Sequence, residues 1–304
     1  MPMQVLDSLS ALKSLGSPVH WAMGFFDGVH LGHQCVIRSA NSPGALRGVL
    51  TFDRHPLALL HPEKQPCLIT PNATLKASLI ATAGNADVLL RLPFTPELAA
   101  MEPGAFLDAL CGSCRIAGIS VGSNWRFGRG GCGSADFLRR EGQMRGFPVY
   151  VHELVQQDGI PVSSTCIRAA LAGGDLPAAT RMLGHSFAVA GEVEHGQHLA
   201  RKLGFPTANI SLPPHAALPA CGVYRVRCQH AGALLSGIAN LGLRPTIREE
   251  RKIPRLEAHF PGWQGDLYGQ FLSIELLDFL RPERRFASLD ELRRQIALDL
   301  SAIS

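Results

Sequence analysis

The stretch VHWAMGFFDGVHLGHQ at residues 19–34 contains an apolar run, a glycine-containing turn and the start of a helix. Its first six residues predict a buried strand, and the turn passes through Gly24 and Gly28. Residues three apart share one face of a helix, so His30 and His33 are predicted to point at one spot near the helix N-terminus. A strand that leads into a helix in this way is the building block of a parallel α/β sheet.

The rest of the first half repeats this alternation of apolar runs and helix-length stretches. The further runs are GVLTF at 48–52, ADVLLRL at 86–92 and IAGISVG at 116–122. Because parallel strands need crossover helices, they predict a doubly wound α/β domain. Ligands of such folds bind at the carboxyl ends of the strands, which directs attention to the residues after Met23, Phe52 and Val121.

The sequence changes character after about Gly184. Segments with strand character then follow one another without a long helix between them: SFAVAGEV, GVYRVRC, SGIANLG, RLEAHF and QFLSIELLDFL. They predict an antiparallel β-barrel. Ser288 and Glu291 form a capping box for a terminal helix, whose apolar stripe is predicted to pack on the barrel: Leu289, Leu292, Ile296 and Leu300. We therefore expect two domains, residues 1–183 and 184–304.

Length and composition agree with two folded domains and narrow the class of ligand. At about 150 residues per domain, 304 residues suggest two. The net charge of +4, without a block of like charges, suits an anionic ligand but offers no basic stripe for nucleic acid. The eight cysteines are too dilute for a disulfide framework, and the sequence shows neither a signal peptide nor an apolar run of about 18 residues. We expect a cytoplasmic protein that does not span a membrane.

The two histidines suit phosphate chemistry. A phosphate at the helix N-terminus would meet imidazoles, backbone N–H groups and the helix dipole together. Such donors stabilise the charge that builds on an α-phosphate during nucleotidyl transfer. By themselves, His30 and His33 fit a satisfied turn or half of a metal site equally well.

Three further polar motifs follow predicted strands or begin a predicted helix. TFDRHP carries His55, and VGSNWRFG carries Asn124. VSSTCIR reads as a hydroxyl-rich turn into a helix, with Arg168 one turn beyond the hydroxyl groups. All of these motifs fall where the ligand crevice of a doubly wound sheet is expected.

Together, GFFDGVHLGHQ, TFDRHP, VGSNWRFG and VSSTCIR resemble the adenylyltransferase module of the bacterial bifunctional riboflavin kinase/FAD synthetase family. The resemblance covers about residues 18–183 and implies a nucleotidyltransferase-like domain in which FMN attacks the α-phosphorus of ATP, giving FAD and pyrophosphate. It implies that His30 and His33 stabilise the reacting phosphate. The ATP and its phosphates would be bound by Gly24, Phe25, Asp27, Gly28, Ser163, Ser164, Thr165 and Arg168. The flavin would contact His55, Asn124 and Phe127. Segment 67–84 departs from the charged helix start usual in the family.

A second group of polar residues lies in the predicted barrel. In LGFPTANI at 203–210, Thr207 and Asn209 project from one face of a strand. Their hard, neutral oxygens suit Mg²⁺ that also keeps waters and nucleotide phosphates, although a capped strand end would look the same. Glu257 in RLEAHF is a candidate general base, or alternatively a solvated glutamate.

These segments, with GVYRV, GIANLGLRPT, GDLYGQ and the C-terminal LRPERRFASLDELRRQIALDL, resemble the riboflavin kinase module of the same family from about residue 184. The resemblance implies that Thr207 and Asn209 hold Mg²⁺ and ATP and that Glu257 deprotonates the riboflavin 5′-hydroxyl. Arg201 and Gly204 would cover the nucleotide, and Arg281 and Phe286 would border the flavin. Ala200 stands where the family usually has glycine.

Three functional hypotheses follow. The first is an enzyme with both activities, which uses Mg²⁺ and ATP and acts on riboflavin, FMN and FAD, with no nucleic acid or membrane partner and an oligomeric state that the sequence leaves open. The second is an FMN adenylyltransferase whose kinase-like barrel binds flavin but has lost turnover because of Ala200. The third is a basic nucleic-acid-binding protein, which would leave the histidine pair and Thr207 and Asn209 unexplained.

Overall fold

The computed structural model describes residues 2–195, 207–213, 215–245 and 252–303. The chain divides into two compact units. The first unit comprises Met1–Pro66 and Lys76–Ser164, and the second comprises Cys67–Leu75 and Thr165–Ser304. The predicted domain boundary between residues 183 and 184 stays a prediction.

The first unit is built on a six-stranded parallel sheet in the order β1-β4-β3-β2-β5-β6. The strands are β1 (Gln4–Leu6), β2 (Val19–Met23), β3 (Leu46–Phe52), β4 (Val88–Leu92), β5 (Ile116–Gly122) and β6 (Val149–His152). The four strands predicted from apolar runs are present, and so is the doubly wound architecture. Strand β2 is buried at all five positions because strands lie on both sides of it and helices cover its faces.

Helices connect the strands and enclose a core on each face of the sheet. They are α1 (Leu31–Ser39), α2 (Pro56–Leu60), α3 (Ala73–Gly84), α4 (Pro96–Ala100), α5 (Pro103–Cys111) and α6 (Ala135–Arg145). Two more helices follow along the chain, α7 (Ser164–Ala172) and α8 (Leu176–Leu183), and from Thr165 onward they belong to the second unit. Because side chains alternate along a strand, Trp21 and Leu50 enter the core beneath α5 and α6, whereas Ala22 and Val49 enter the core beneath α1 and α3.

The strand order places a switch point beside β2. The chain runs from β2 to β3 on one side and returns with β5 on the other. In doubly wound folds this reversal opens a crevice at the carboxyl ends of the strands. The turn that carries His30 follows β2, and the turn that carries Asn124 follows β5. Both predicted motifs therefore begin at the switch point.

The second unit contains a closed antiparallel barrel, which confirms the prediction. After the short hairpin of β7 (Gln156–Gln157) and β8 (Ile160–Pro161) in the first unit, the barrel strands are β9 (Phe187–Glu194), β10 (Ala208–Ser211), β11 (Gly222–His230), β12 (Ala233–Pro245), β13 (Lys252–His259) and β14 (Phe271–Arg281). They close in the order β10-β13-β12-β11-β14-β9. Leu256, Ala258 and Phe260 are buried as their alternation predicts, but His259 from the opposite face is buried as well.

The terminal helix α9 (Leu289–Ser301) begins as predicted, with the Ser288 hydroxyl accepting from the Glu291 N–H at 3.2 Å. Its predicted apolar packing is wrong in detail, since Leu289 is exposed and Asp299 is the buried residue of the helix. The Asp299 carboxylate accepts from Arg281 at the end of β14, at 2.8 to 3.1 Å, and from Gln295 at 2.7 Å. An ion pair therefore joins α9 to the barrel.

No helix in the described part of the chain is both long and apolar enough for a membrane span. None of the eight cysteines forms a disulfide.

The buried ion pair gives a stability prediction. Asp299→Ala leaves the Arg281 guanidinium without its carboxylate in a largely enclosed position, so we expect a loss of about 3 kcal/mol in the free energy of unfolding. Asp278→Ala removes the exposed partner of Arg225 in the same barrel and is expected to cost less than about 1 kcal/mol. Urea unfolding followed by circular dichroism measures both, and equal losses would contradict the anchoring role of Asp299.

Candidate active sites

The turn between β2 and α1 has an unusual backbone. Phe26, Gly28 and Val29 take positive φ values of 55°, 83° and 41°. Glycine adopts this region freely, but a β-branched residue rarely does, so the turn is strained at Val29. The Gln34 side chain, itself buried, donates to the Val29 carbonyl at 3.0 Å and holds that conformation. Strained backbone held in this way clusters at functional sites.

This turn brings the two predicted histidines together. His30 is the N-cap of α1, and its Nδ1 accepts from the His33 backbone N–H at 3.4 Å. The two imidazoles stack with 3.5 Å between centroids and 19° between planes. The Phe26 ring meets His33 edge-on at 5.3 Å. We call His30 and His33 the imidazole pair.

Desolvation sets the charge of His33. Burial lowers the pKa of His33 well below 6.5, and the neighbouring His30 and Lys76 lower it further. His33 is therefore neutral at pH 7. Its Nδ1 is buried and meets no hydrogen-bond partner among the described residues. A buried ring nitrogen of this kind is suited to a ligand that carries a complementary group.

Neighbouring strands and Ser164 hold the turn from outside. The Ser164 hydroxyl donates to the Asp27 carbonyl at 3.0 Å, and the Thr51 hydroxyl donates to the Phe25 carbonyl at 2.9 Å. A Cβ at Gly24 would lie 2.8 Å from the Phe26 ring, so only glycine fits there. The turn residues predicted to bind ATP thus form one connected structure.

The rest of the hydroxyl-rich motif lies at the start of α7. In the second unit, Arg168 donates to the Thr165 hydroxyl at 3.3 Å, as their spacing of three predicts. Ser163 directly precedes the helix. Roles for these residues in phosphate binding stay predictions.

An aromatic cleft of about 240 Å³ opens in the first unit. Its aromatic lining is Phe25, Phe52, Phe94, Phe106, Trp125 and Phe127. Of the predicted flavin contacts, Phe127 lines this cleft. His55 caps α2 and touches the cleft wall through Phe25, with 4.9 Å between ring centroids. Asn124 lies exposed in the turn after β5 and is not a lining residue.

Lys76 was missed in the sequence. It lies on α3 with only 8% of its surface exposed, and its Nζ is 3.9 Å from the centre of the Phe25 ring. The only sequence signal was a lone basic residue in CLITPNATLK, a segment without an acidic residue. Nothing in that pattern could show that the lysine is enclosed beside the imidazole pair.

Strand register assembles the polar residues of the barrel. Glu257 on β13 pairs with Asn209 on β10 and with Asn240 on β12. Directly paired residues project from the same face, so these three side chains form one polar row. Asn209 is buried and Glu257 is half-buried. Asn240 donates to Glu283 at 2.9 Å. Asn240 and Glu283 were not singled out in the sequence because their position depends on this register.

A cleft of about 230 Å³ lies along the polar row. Glu257, Arg281, Phe286 and the α9 residues Leu292 and Ile296 contribute to its walls. Arg281 is held by Asp299, and its guanidinium carbon lies 5.8 Å from the centre of the Phe286 ring. The partly apolar α9 stripe therefore lines a cleft instead of filling the core.

A larger cleft of about 570 Å³ shares Thr207 with the smaller one. Trp263 and Tyr268 contribute aromatic walls, and His195 stacks on Tyr268 at 4.0 Å. The predicted nucleotide loop with Ala200, Arg201 and Gly204 lies outside the described residues.

The donor set at Thr207 and Asn209 fits a magnesium ion that keeps most of its own water. Asn209 turns its amide nitrogen toward the Thr207 hydroxyl at 3.4 Å, which leaves its amide oxygen as a ligand. No group of three or more His, Cys, Asp or Glu side chains among the described residues could hold a metal ion. Mg²⁺ does not need such a cage, since waters and substrate phosphates complete its octahedron.

Burial of the histidines predicts a pH response. The lowered pKa of His33 means that its ring nitrogens should not titrate near pH 6.5 in ¹⁵N-resolved NMR. Burial and His152 lower the pKa of His20 to about 4. Because the unfolded chain takes up protons that these folded rings resist, stability should fall as pH drops below about 6.5. Titration of the His33 ring near pH 6.5 would contradict its desolvation.

Comparisons with known proteins agree with this geometry. The family model described as FAD synthetase matches residues 13–166, and the one described as riboflavin kinase matches residues 183–304. A solved structure described as a macrolide-efflux protein from Streptococcus pneumoniae is similar, with a TM-score of 0.80 and 26% identity, covering 98% of this chain and 97% of that one.

Curated relatives align over nearly the full length. The bifunctional riboflavin kinase/FMN adenylyltransferase of Pseudomonas fluorescens is 36% identical over 99% of this chain and 96% of its own. The protein of the same description from Escherichia coli K12 is 38% identical over 91% of this chain and 89% of its own. A third protein of this description, from Bacillus subtilis, is 34% identical over 91% of this chain and 89% of its own. With an α/β unit that carries an imidazole pair and a barrel that carries a polar row, the chain belongs to the bifunctional riboflavin kinase/FMN adenylyltransferase family.

Proposed function

We propose that this chain phosphorylates riboflavin to FMN with ATP in its barrel and then adenylylates FMN to FAD at the imidazole pair, releasing pyrophosphate. The observation that carries the proposal is the stacked pair of His30, which is buried, and His33, whose Nδ1 is buried, at the N-terminus of α1 and at the switch point of the sheet. The neutral His33 imidazole and the N-terminus of α1 form a site for a phosphate.

In the adenylyl transfer, a phosphate oxygen of FMN attacks the α-phosphorus of ATP. The bond from the α-phosphorus to the bridging oxygen breaks, and pyrophosphate leaves with the bonding electrons. The imidazole pair donates hydrogen bonds to the α-phosphate oxygens, which gain negative charge in the transition state. Gly24 and Gly28 let the backbone approach the phosphate closely, and Phe25 and Asp27 belong to the same turn. Ser163 and Ser164, which lie in the first unit with the imidazole pair, bind the departing phosphates.

The aromatic cleft receives the flavin ring of FMN. Phe127 forms part of its wall, and a planar ring of three fused cycles suits an aromatic cleft of this kind. His55 acts on the flavin through Phe25, whose ring it contacts. Asn124 is not one of the residues that line the cleft, so any contact that it makes with the flavin lies outside the cleft.

In the kinase reaction, Glu257 accepts the proton of the riboflavin 5′-hydroxyl as that oxygen attacks the γ-phosphorus of ATP, and ADP leaves. Asn209 and Asn240 orient the carboxylate from the neighbouring strands. Thr207 and Asn209 hold Mg²⁺, which offsets the charge of the nucleotide phosphates. Arg281, Phe286 and α9 border the flavin. We place the enzyme in the cytoplasm, where cysteines that form no disulfide stay reduced.

Chromatography of products from riboflavin, ATP and MgCl₂ tests the proposal. The full chain should form FMN first and FAD second. FAD formed only when FMN is supplied would favour an inactive kinase barrel, which is the consequence considered for Ala200. Absence of both products would overturn the proposal, and steeply salt-dependent DNA binding without turnover would favour the nucleic-acid alternative.

Paired variants test whether the two sites are separate. His30→Ala combined with His33→Ala should lower FAD formation about 10³-fold or more while FMN formation continues, because only the α-phosphate loses its donors. Glu257→Gln should lower FMN formation at least about 10²-fold and leave FAD formation from supplied FMN unchanged.

Two matched controls accompany them. His61→Ala changes an exposed histidine of the first unit, and Glu192→Gln changes an exposed glutamate on β9. Both should retain both activities. If one of the site variants abolished both reactions in a folded protein, the two reactions would share a site and the division proposed here would be wrong.

A further inference from the structure

Lys76 is enclosed by the protein and forms no salt bridge with any residue that the structure describes. It exposes 8% of its surface, whereas lysine is almost never buried unless it is paired. Among the described residues, its ammonium makes no hydrogen bond and no carboxylate lies within ion-pair distance. The ammonium lies over the face of the Phe25 ring, 3.9 Å from its centre. A ring face compensates only part of the lost hydration of an ammonium.

The groups around Lys76 come from three elements. Asp27 lies on the turn after β2, His33 on α1 and Arg91 on β4. Asp27 is the one acid among them, and its charge is opposed by two cations. The three groups and the lysine all belong to the first unit. An anionic ligand would restore the charge balance of this cluster.

Lys76 lies near both the aromatic cleft and the imidazole pair. Phe25, which its ammonium covers, is a wall of the aromatic cleft. His33, which it influences electrostatically, belongs to the imidazole pair. A flavin in the cleft whose phosphate extends toward the imidazole pair would pass beside the lysine.

We propose that Lys76 binds the phosphate monoester of FMN and holds it beside the α-phosphate of ATP. This inference rests on the proposed function, in which FMN is adenylylated in the first unit. The ammonium reduces the repulsion between two anions that must meet, so that the phosphate oxygen reaches the α-phosphorus and pyrophosphate leaves. Arg91 adds to the positive potential.

The charge of Lys76 responds to its surroundings. Burial, together with Arg91, lowers the pKa of Lys76 to about 7, while Asp27 opposes the shift. In the free enzyme the ammonium is therefore lost as the pH rises above about 7. His33 is already neutral in this range. The FMN phosphate takes its second negative charge near pH 6, so its ionisation determines how kcat/KM for FMN changes on the acid side of neutrality.

Lys76→Met, Lys76→Arg and the matched control Lys13→Met test the inference in the full chain. Lys13 is an exposed lysine of the same unit. We expect Lys76→Met to lower kcat/KM for FMN in FAD formation about 100-fold, with FMN formation from riboflavin as the internal control for folding. Lys76→Arg should recover part of the loss, and Lys13→Met should match the unchanged chain.

The pH profile separates phosphate binding from support of the Phe25 ring. In the unchanged chain, kcat/KM for FMN should fall above about pH 7, because the neutral amine no longer binds the phosphate. In Lys76→Arg this fall should disappear, since guanidinium stays charged. Normal FAD formation by Lys76→Met would overturn the inference about Lys76 and leave the proposed function intact. The same would hold if kcat/KM for FMN still fell at alkaline pH in Lys76→Arg. Absence of FAD from the unchanged chain would overturn the proposed function and the inference with it.

Discussion

Burial of polar groups in the turn between β2 and α1 is the constraint on which the adenylyl site depends. The turn ends the central strand of the sheet and must accommodate Asp27 and the imidazole pair away from water. It does so with strained backbone at Val29, which Gln34 secures. Desolvation keeps His33 neutral. The turn, sheet order and helix N-terminus thus produce one phosphate site.

In the barrel, strand register and not a strained turn brings the site residues together. Antiparallel register places Glu257 between Asn209 and Asn240, so three strands supply one polar row. The ion pair of Arg281 and Asp299 then fixes α9 as a wall of the neighbouring cleft. Hydrogen bonds across strands determine which polar groups meet, and one buried ion pair determines what encloses them.

Sequence periodicity predicted the architecture well because buried strands and capped helices carry local signals. The apolar run that ends at Met23 and the capping box at Ser288 are examples. The contacts that side chains make between different helices and strands were harder to predict from the sequence. Lys76 carries no motif, and its burial depends on the packing of α3. The pairing of Arg281 with Asp299 was not predicted, because a contact over 18 residues leaves no periodic trace in the sequence.

A crystal structure of the chain with FMN and a non-hydrolysable ATP analogue tests the central claim most directly. We predict oxygens of the α-phosphate at about 2.7–3.2 Å from ring nitrogens of His30 or His33. The flavin ring should lie in the aromatic cleft, against Phe127. An α-phosphate bound more than about twice that distance from both imidazoles would contradict the account.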